Sequence, residues 1–192
     1  MLAKKFGPVY ASRLRRKAPS RNDVWHLDEV VVTIGGRRHW RWRAVDQDGY
    51  VLDEIVQTRR NTRAARRLLI RLMKKQGCLR KRIVTDKLRS YNAARRQIMP
   101  TVEHRSHKGL NNRAENSHLP LRKREHTMQR FRSPGALQRF TCAFSAVRNL
   151  FVPPPSKRSA MTVHLHRLRG SRIGGPPPAQ LPKPHSHAIG RL

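Results

Sequence analysis

Acidic residues are scarce in this chain: 11 Asp and Glu stand against 43 Lys and Arg in 192 residues, a formal charge of +32. The imbalance runs the whole length and demands a polyanionic partner, nucleic acid first and an acidic membrane surface second. Cysteine is nearly absent. Cys78 and Cys142 have no metal-type spacing, which excludes a zinc-finger framework or a disulfide scaffold and fits reduced thiols in a cytosolic protein. Ten histidines are scattered among arginines without recognisable ligand spacing, which argues against zinc. No apolar run approaches the roughly 20 residues that span a bilayer as a helix. With 6% aromatic and 37% hydrophobic residues, the chain can build one modest core and tails.

Against that scarcity, Asp28 sits in the middle of the apolar, β-branched run Val24 to Thr33. Strand centres disfavour Asp, and a buried carboxylate costs several kcal/mol unless a cation, a metal or hydrogen bonds compensate it. Asp86 closes a second such run, Lys81 to Asp86, and Glu115 lies in the polar segment Gly109 to His118. Taken singly, each has an ordinary explanation: Asp28 facing solvent on an edge strand, Asp86 capping the following helix, Glu115 pairing with Arg113 or Arg122. Their joint order favours three carboxylates around divalent metal ions. Glu29, on the opposite face of the strand, is not one of the three by this reading.

Periodicity predicts βββαβαβ followed by helices. Gly35-Gly36 makes a hairpin turn between Val24–Thr33 and Arg37–Val45. The second strand alternates, with Trp40, Trp42 and Ala44 on one face and His39, Arg41 and Arg43 on a basic outer face. Tyr50–Gln57 is the third strand. Asn61 caps a helix whose apolar positions Ala65, Leu68, Leu69, Leu72 and Met73 share one side, while its basic side reads as solvated. Gly77 ends it, and Arg80–Thr85 is a short parallel strand with Asp86 at its C-terminal end. Leu88–Met99 reads as a helix, Thr101–His104 as a fifth strand, and Asn111–Glu125 as a helix broken at Pro120. Ser133-Pro134 starts an amphipathic helix with Leu137, Phe140, Phe144, Val147 and Phe151 along one stripe. Residues 1–23 read as a basic arm, with a short helix near Tyr10–Lys17, and 153–192 as a Pro-rich disordered tail. The three tryptophans read as packing residues.

A first strand with a central acid, a fourth ending in an acid and a later helix offering Glu is the order of an RNase H-like metal site. Parallel pairing of strands one and four sets Asp28 beside Asp86, where like charges require a cation between them. Hard oxygen ligands suit Mg²⁺ or Mn²⁺, and two such ions serve in-line displacement at phosphorus. Trp25-His-Leu-Asp28-Glu-Val, Ala44-Val-Asp-Gln-Asp-Gly49, Val84-Thr-Asp86-Lys-Leu-Arg-Ser-Tyr91, Val102-Glu-His-Arg105 and Leu110-Asn-Asn-Arg-Ala-Glu115-Asn-Ser-His118 follow in that order. Through these blocks the chain resembles DDE-type transposases of the bacterial insertion sequence 6 family, over roughly residues 5 to 152.

The resemblance implies an α/β, RNase H-like catalytic domain at 24–152 with a mixed five-stranded sheet. It also implies DNA strand cleavage and strand transfer, with Asp28, Asp86 and Glu115 as catalytic and metal-binding triad. Arg122, seven residues after Glu115, matches a basic DNA-contacting position, and Lys87 and Arg113 beside the acids are further candidate DNA contacts. DNA as partner, a homo-oligomer when active and a nucleoid-associated place in the bacterial cytoplasm follow from the same resemblance. The stretch between Asp86 and Glu115 is a few residues shorter than in better-known members, and the family's N-terminal helix-turn-helix portion has no counterpart here, so a truncated copy is expected. Two other classes compete: a non-catalytic basic nucleic-acid binder, which predicts no metal dependence, and an RNase H-like nuclease or resolvase, which cuts without joining.

Overall fold

The computed structural model describes residues 24–77, 81–128, 131–152 and 159–173. The expected basic arm at 1–23, Cys78 and the prolines at 153–155 and beyond 173 lie outside the described residues. Three antiparallel strands open the fold: β1 (Val24–Ile34), β2 (Arg37–Val45) and β3 (Val51–Gln57). Gly35 and Gly36 turn the first hairpin at φ 55° and 74°, a backbone that side chains with a Cβ resist. Asn61 then caps α1 (Thr62–Gln76), its side chain accepting from the Ala64 N–H, and Gly77 closes the helix at φ 67°.

β4 (Arg82–Thr85) runs parallel to β1 and to β5 (Glu103–Ser106), with α2 (Arg89–Ile98) crossing between them. The sheet order is β3-β2-β1-β4-β5, three antiparallel strands joined to two parallel ones, as expected of an RNase H-like fold. β5 begins two residues later than periodicity predicts. Val102 is the reason, because its N–H closes a turn onto the Met99 carbonyl and its side chain enters the core.

On one face of the sheet α1 and α2 cover Trp25, Leu27, Trp42 and Ile83; Leu68, Leu69 and Leu72 of α1 are wholly buried there. Each such leucine contributes roughly 1.5–3 kcal/mol by burial. The opposite face carries α3 (Asn112–Ser117), α4 (Leu119–Thr127) and α5 (Pro134–Phe151). The predicted break falls at His118, one residue before α4, and Pro120 occupies the first turn of α4, where its missing N–H costs nothing.

That second layer changes the reading of β2. His39, Arg41 and Arg43 form an inner face, with Arg41 1% and Arg43 2% exposed, because α3 to α5 cover them and Glu54 on β3 neutralises Arg43. The stripe of α5 also differs from expectation. Leu137 is buried, but Thr141, Ser145 and Ala146 are its buried companions, while Val147 is half exposed. β3 is an edge strand with backbone groups to satisfy, and α5 supplies two amides to them. Gln138 accepts from Val56 N–H and donates to the Glu54 carbonyl, and Asn149 makes the matching pair with Val51. Holding those amides on β3 turns Phe140 and Phe144 aside, where they stack on each other at 5.7 Å.

Within the stretch expected to be disordered, residues Ala160–Ile173 form a helix, α6. The Ser159 hydroxyl caps it by accepting from Thr162 N–H, His166 reaches the Asn149 carbonyl at 3.2 Å, and the His166 ring stacks on Tyr50. Composition was dominated by the flanking prolines, and the run between them contains none. No helix among the described residues is long and apolar enough to cross a membrane.

Candidate active site

The parallel β1–β4 register ends at Leu27 opposite Thr85, so the next residues of the two strands, Asp28 and Asp86, emerge side by side. Because Asp86 lies beyond the last paired residue of β4, it is not committed to either face of the sheet. It therefore meets both Asp28 and its neighbour Glu29: carboxylate oxygens of Asp28, Glu29 and Asp86 all lie within 4.8 Å of one another. Asp28 and Glu29 are 7% exposed, whereas the Asp86 side chain is 24% exposed and opens the cluster to solvent.

Each acid is held by different means. Asp86 Oδ1 accepts from the Leu88 N–H at 3.0 Å, and its main-chain carbonyl accepts from the Thr85 and Ser106 hydroxyls. Glu29 Oε1 accepts from Arg60 Nε at 2.7 Å, and Arg60 also stands 3.7 Å from Asp86 Oδ2. The Arg60 guanidinium lies 5.0 Å from the centre of the Trp40 ring, a cation–π contact that fixes it over the cluster. Burial first, then the charge of Asp86, pushes Glu29 above the ordinary carboxylate range, with Arg60 opposing. The Tyr91 hydroxyl is buried beside these acids and its pKa is raised, by burial first and then by Glu29 and Asp28.

Asp28 faces the second helical layer. Asn111 Nδ2 donates to the Leu27 carbonyl at 2.8 Å, pinning the start of α3 to β1 one residue before Asp28. His118 Nε2 stands 3.4 Å from Asp28 Oδ2, and Arg41 Nη2 meets His118 Nδ1 at 2.7 Å. Burial first, then the positive charges of Arg43, Arg41 and Arg122, hold the His118 imidazole far below its usual pKa, so it is neutral. Burial lowers Arg41 to about 9, still a cation at neutral pH. His26, on the same strand, falls to about 4 through burial and Arg113.

Asp28 itself is pushed up to about 7, by burial first and then by the charges of Glu29 and Asp86, with Glu115 a smaller contributor. Glu115 lies on α3, exposed, near enough for its charge to act on Asp28 but outside the 4.8 Å group. The structure thus brings Asp28 and Asp86 together, adds Glu29, and leaves Glu115 at the rim. Lys87 is exposed next to Asp86, and Arg113 is exposed with its guanidinium on the Gln47 carbonyl. Arg122, on α4, lines a cleft of about 260 Å³ with Val30 to Thr33, Arg41 and Glu125.

Glu29, Arg60, Tyr91, Arg41 and His118 were not anticipated as members of the site. Strand alternation set Glu29 aside, and it does point to the α1–α2 side. The missing piece was that Asp86, past the strand end, is shared by both sides. The donor set is oxygen only, and burial first, then mutual repulsion, raises Asp28 and Glu29. Those features fit a hard divalent cation.

The raised Asp28 carries a stability consequence. Without metal, the folded chain holds a proton on Asp28 at pH values where the unfolded chain has lost it, so stability falls as pH rises from about 4 towards about 7. Asp28→Asn is therefore expected to stabilise the metal-free protein on the order of 2 kcal/mol at pH 8 and to give no advantage below pH 4. Denaturant titrations at the two pH values in EDTA measure it; equal stability of the two proteins at pH 8 rejects the raised carboxyl.

A family model described as a DDE domain matches residues 22–152. The transposase for insertion sequence-like element IS431mec and the transposase for IS257 in transposon Tn4003, both of Staphylococcus aureus, are 26% identical over 125 residues, covering 62% of this chain and 55% of theirs. The chain thus spans about half the length of the curated relatives it matches. Among solved structures, a chain of the simian T-cell lymphotropic virus intasome in complex with PP2A regulatory subunit B56 gamma superposes with TM-score 0.54 at 12% identity, over 92% of this chain and 62% of that one, a likeness of fold. The matched region takes in all five strands and the acids at the end of β4, and the chain belongs to the DDE transposases, in the insertion sequence 6 family.

Proposed function

We propose that residues 24–152 form a catalytic domain that cleaves DNA strands and joins them to new ones, using divalent metal held by Asp28, Asp86 and Glu115. The observation that carries this reading is the convergence of Asp28 and Asp86 at the end of the parallel β1–β4 pair, with Glu115 on the helix that Asn111 ties to the same strand. Mg²⁺ or Mn²⁺, two ions, would supply Lewis acidity at both the attacking and the leaving oxygen of a phosphodiester. Asp28, Asp86 and Glu115 orient their oxygens for those ions, and Asp86 opens the site to substrate. Glu29, in the same group of carboxylates, adds a further oxygen beside the metal, and Arg60 is paired with it as a resident counter-charge. Lys87, Arg113 and Arg122 are exposed cations suited to phosphate, and a homo-oligomer acting at the nucleoid would bring two DNA ends together.

The test is a duplex carrying the element's terminal repeat, incubated with target plasmid and Mn²⁺. Nicked and joined products with Mn²⁺ and none with EDTA are expected; nicking without joining would make the protein a nuclease, and no metal dependence would reject the site. Family membership does not favour the non-catalytic binder.

The charge surplus has its own consequence. For a protein neutralising six to ten phosphates, affinity for duplex DNA falls by about 10³–10⁵-fold between 50 and 200 mM salt through counterion release. The same steep, linear dependence on log salt is expected here, measured by fluorescence anisotropy. A nearly flat plot would show that the +32 charge does not meet DNA.

A further inference from the structure

We infer that His118, locked by Arg41, is a positioning residue for Asp28: its Nε2–H fixes the carboxylate so that one oxygen is left free for metal. This rests on the metal site proposed above and adds residues that the three acids do not include.

The argument starts from valence. An arginine side chain only donates, so the 2.7 Å contact from Arg41 Nη2 makes His118 Nδ1 an acceptor. The single proton of the neutral ring is then on Nε2, which is buried without a hydrogen-bond partner and stands 3.4 Å from Asp28 Oδ2. Arg41 and His118 are each 1% exposed, so neither group can turn to water for a substitute. At 3.4 Å the contact is long for a hydrogen bond, and Asp28 Oδ2 is the acceptor that the proton faces. Oδ2 is thereby assigned to the histidine, which leaves Oδ1 for the metal.

Geometry gives the pair a second task. His118 sits between α3 and α4, and its N–H bonds the Glu115 carbonyl at 3.1 Å. Its ring thus brings the segment bearing Glu115 to the carboxylate of Asp28. Arg41 comes from β2, so three elements meet on this imidazole. In known metal sites a carboxylate commonly orients a metal-bound histidine; here the roles are reversed, with a histidine orienting a metal-bound carboxylate.

Mn²⁺ titration calorimetry on the full chain tests this without any turnover, with thermal melts of each protein in EDTA as a check of fold. Losing such an outer-shell partner typically costs about 10–100-fold in metal affinity, and His118→Leu is expected to fall in that range. His118→Gln, whose amide N–H can occupy the place of Nε2–H, should recover affinity to within about threefold of wild type. Arg41→Met should weaken Mn²⁺ binding alone but add nothing in the His118→Leu background, because it acts through the ring. Wild-type affinity in a folded His118→Leu overturns the inference, as does His118→Gln binding no better than His118→Leu. If His118→Leu does not fold, the Gln variant decides, and a tenfold or greater loss there overturns it. Asp86→Asn separates the two levels: when wild type binds Mn²⁺ and Asp86→Asn does not, the metal site stands whatever His118 does. Absence of Mn²⁺ binding by wild type overturns both.

Discussion

Asp86→Asn is expected to lower metal-dependent strand cleavage by about 10³-fold or more, some 4 kcal/mol of barrier, while the fold and the affinity for duplex DNA stay within a few-fold of wild type. The two halves of that expectation have different physical origins. The amide oxygen of Asn can still accept from the Leu88 N–H, and the main-chain carbonyl still receives the Thr85 and Ser106 hydroxyls, so the end of β4 keeps its shape. Arg60 keeps its bond to Glu29 and loses only the 3.7 Å partner. What disappears is the negative charge of the one acid in the tight group that opens to solvent, and with it a hard ligand for the metal. Single-turnover cleavage at several Mn²⁺ concentrations measures the loss. Activity within tenfold of wild type at saturating Mn²⁺ would remove Asp86 from the catalytic set.

Asp28→Asn makes a sharper companion because its two effects have opposite signs. It should abolish cleavage in the same way and yet leave the metal-free protein more stable above pH 7, since Asp28 is raised to about 7. A residue that weakens the resting fold while sitting on the central strand is explicable by function and not by packing.

The sheet was legible because each strand carries a strong local signal. Gly35-Gly36 dictates a hairpin, Asn61 and Gly77 bracket α1, and the short apolar run before Asp86 has the length of a central parallel strand. From those elements the adjacency of Asp28 and Asp86 follows by register alone. The arginines of β2 were misread because alternation reports which residues share a face and is silent on which face is covered. Trp40, Trp42 and Ala44 suggested the core, yet Arg43 is as buried as Trp42, since a second helical layer folds over the other side and Glu54 waits on the neighbouring strand. His118 was set aside for want of metal-ligand spacing. Its partners, Arg41 and Asp28, are separated from it by 77 residues and more, and only the closed structure brings them to one ring.

The buried arginines also set the largest stability effect expected in the molecule. Arg43 and Glu54 are cross-strand partners, with Nη2 2.8 Å from Oε2 and side chains 2% and 1% exposed. Arg43 further donates to the Ser117 carbonyl, so the pair ties β2, β3 and α3 together. Burial alone would raise the Glu54 carboxyl, but the charges of Arg43 and Arg41 prevail and hold it below the ordinary range. Glu54→Gln leaves two buried guanidinium groups without that counter-charge, and breaking such a pair from one side costs about 3–5 kcal/mol. For a chain of this size that is a fall in melting temperature of roughly 6–20 °C. The double variant Arg43→Met/Glu54→Leu removes both charges and should recover most of the loss, which distinguishes an uncompensated charge from a lost packing volume. Since the folded pKa of Glu54 is depressed, its contribution is present above the unfolded value near 4 and disappears as pH falls through the folded one. The gap between wild type and Glu54→Gln should therefore be full at neutral pH and close in acid. Urea titrations of all three proteins at pH 7 measure the costs, with an unchanged denaturant slope as the check on two-state unfolding. A cost below about 1 kcal/mol for Glu54→Gln would mean that water reaches the pair, and that the inner face of β2 is not sealed by α3 to α5.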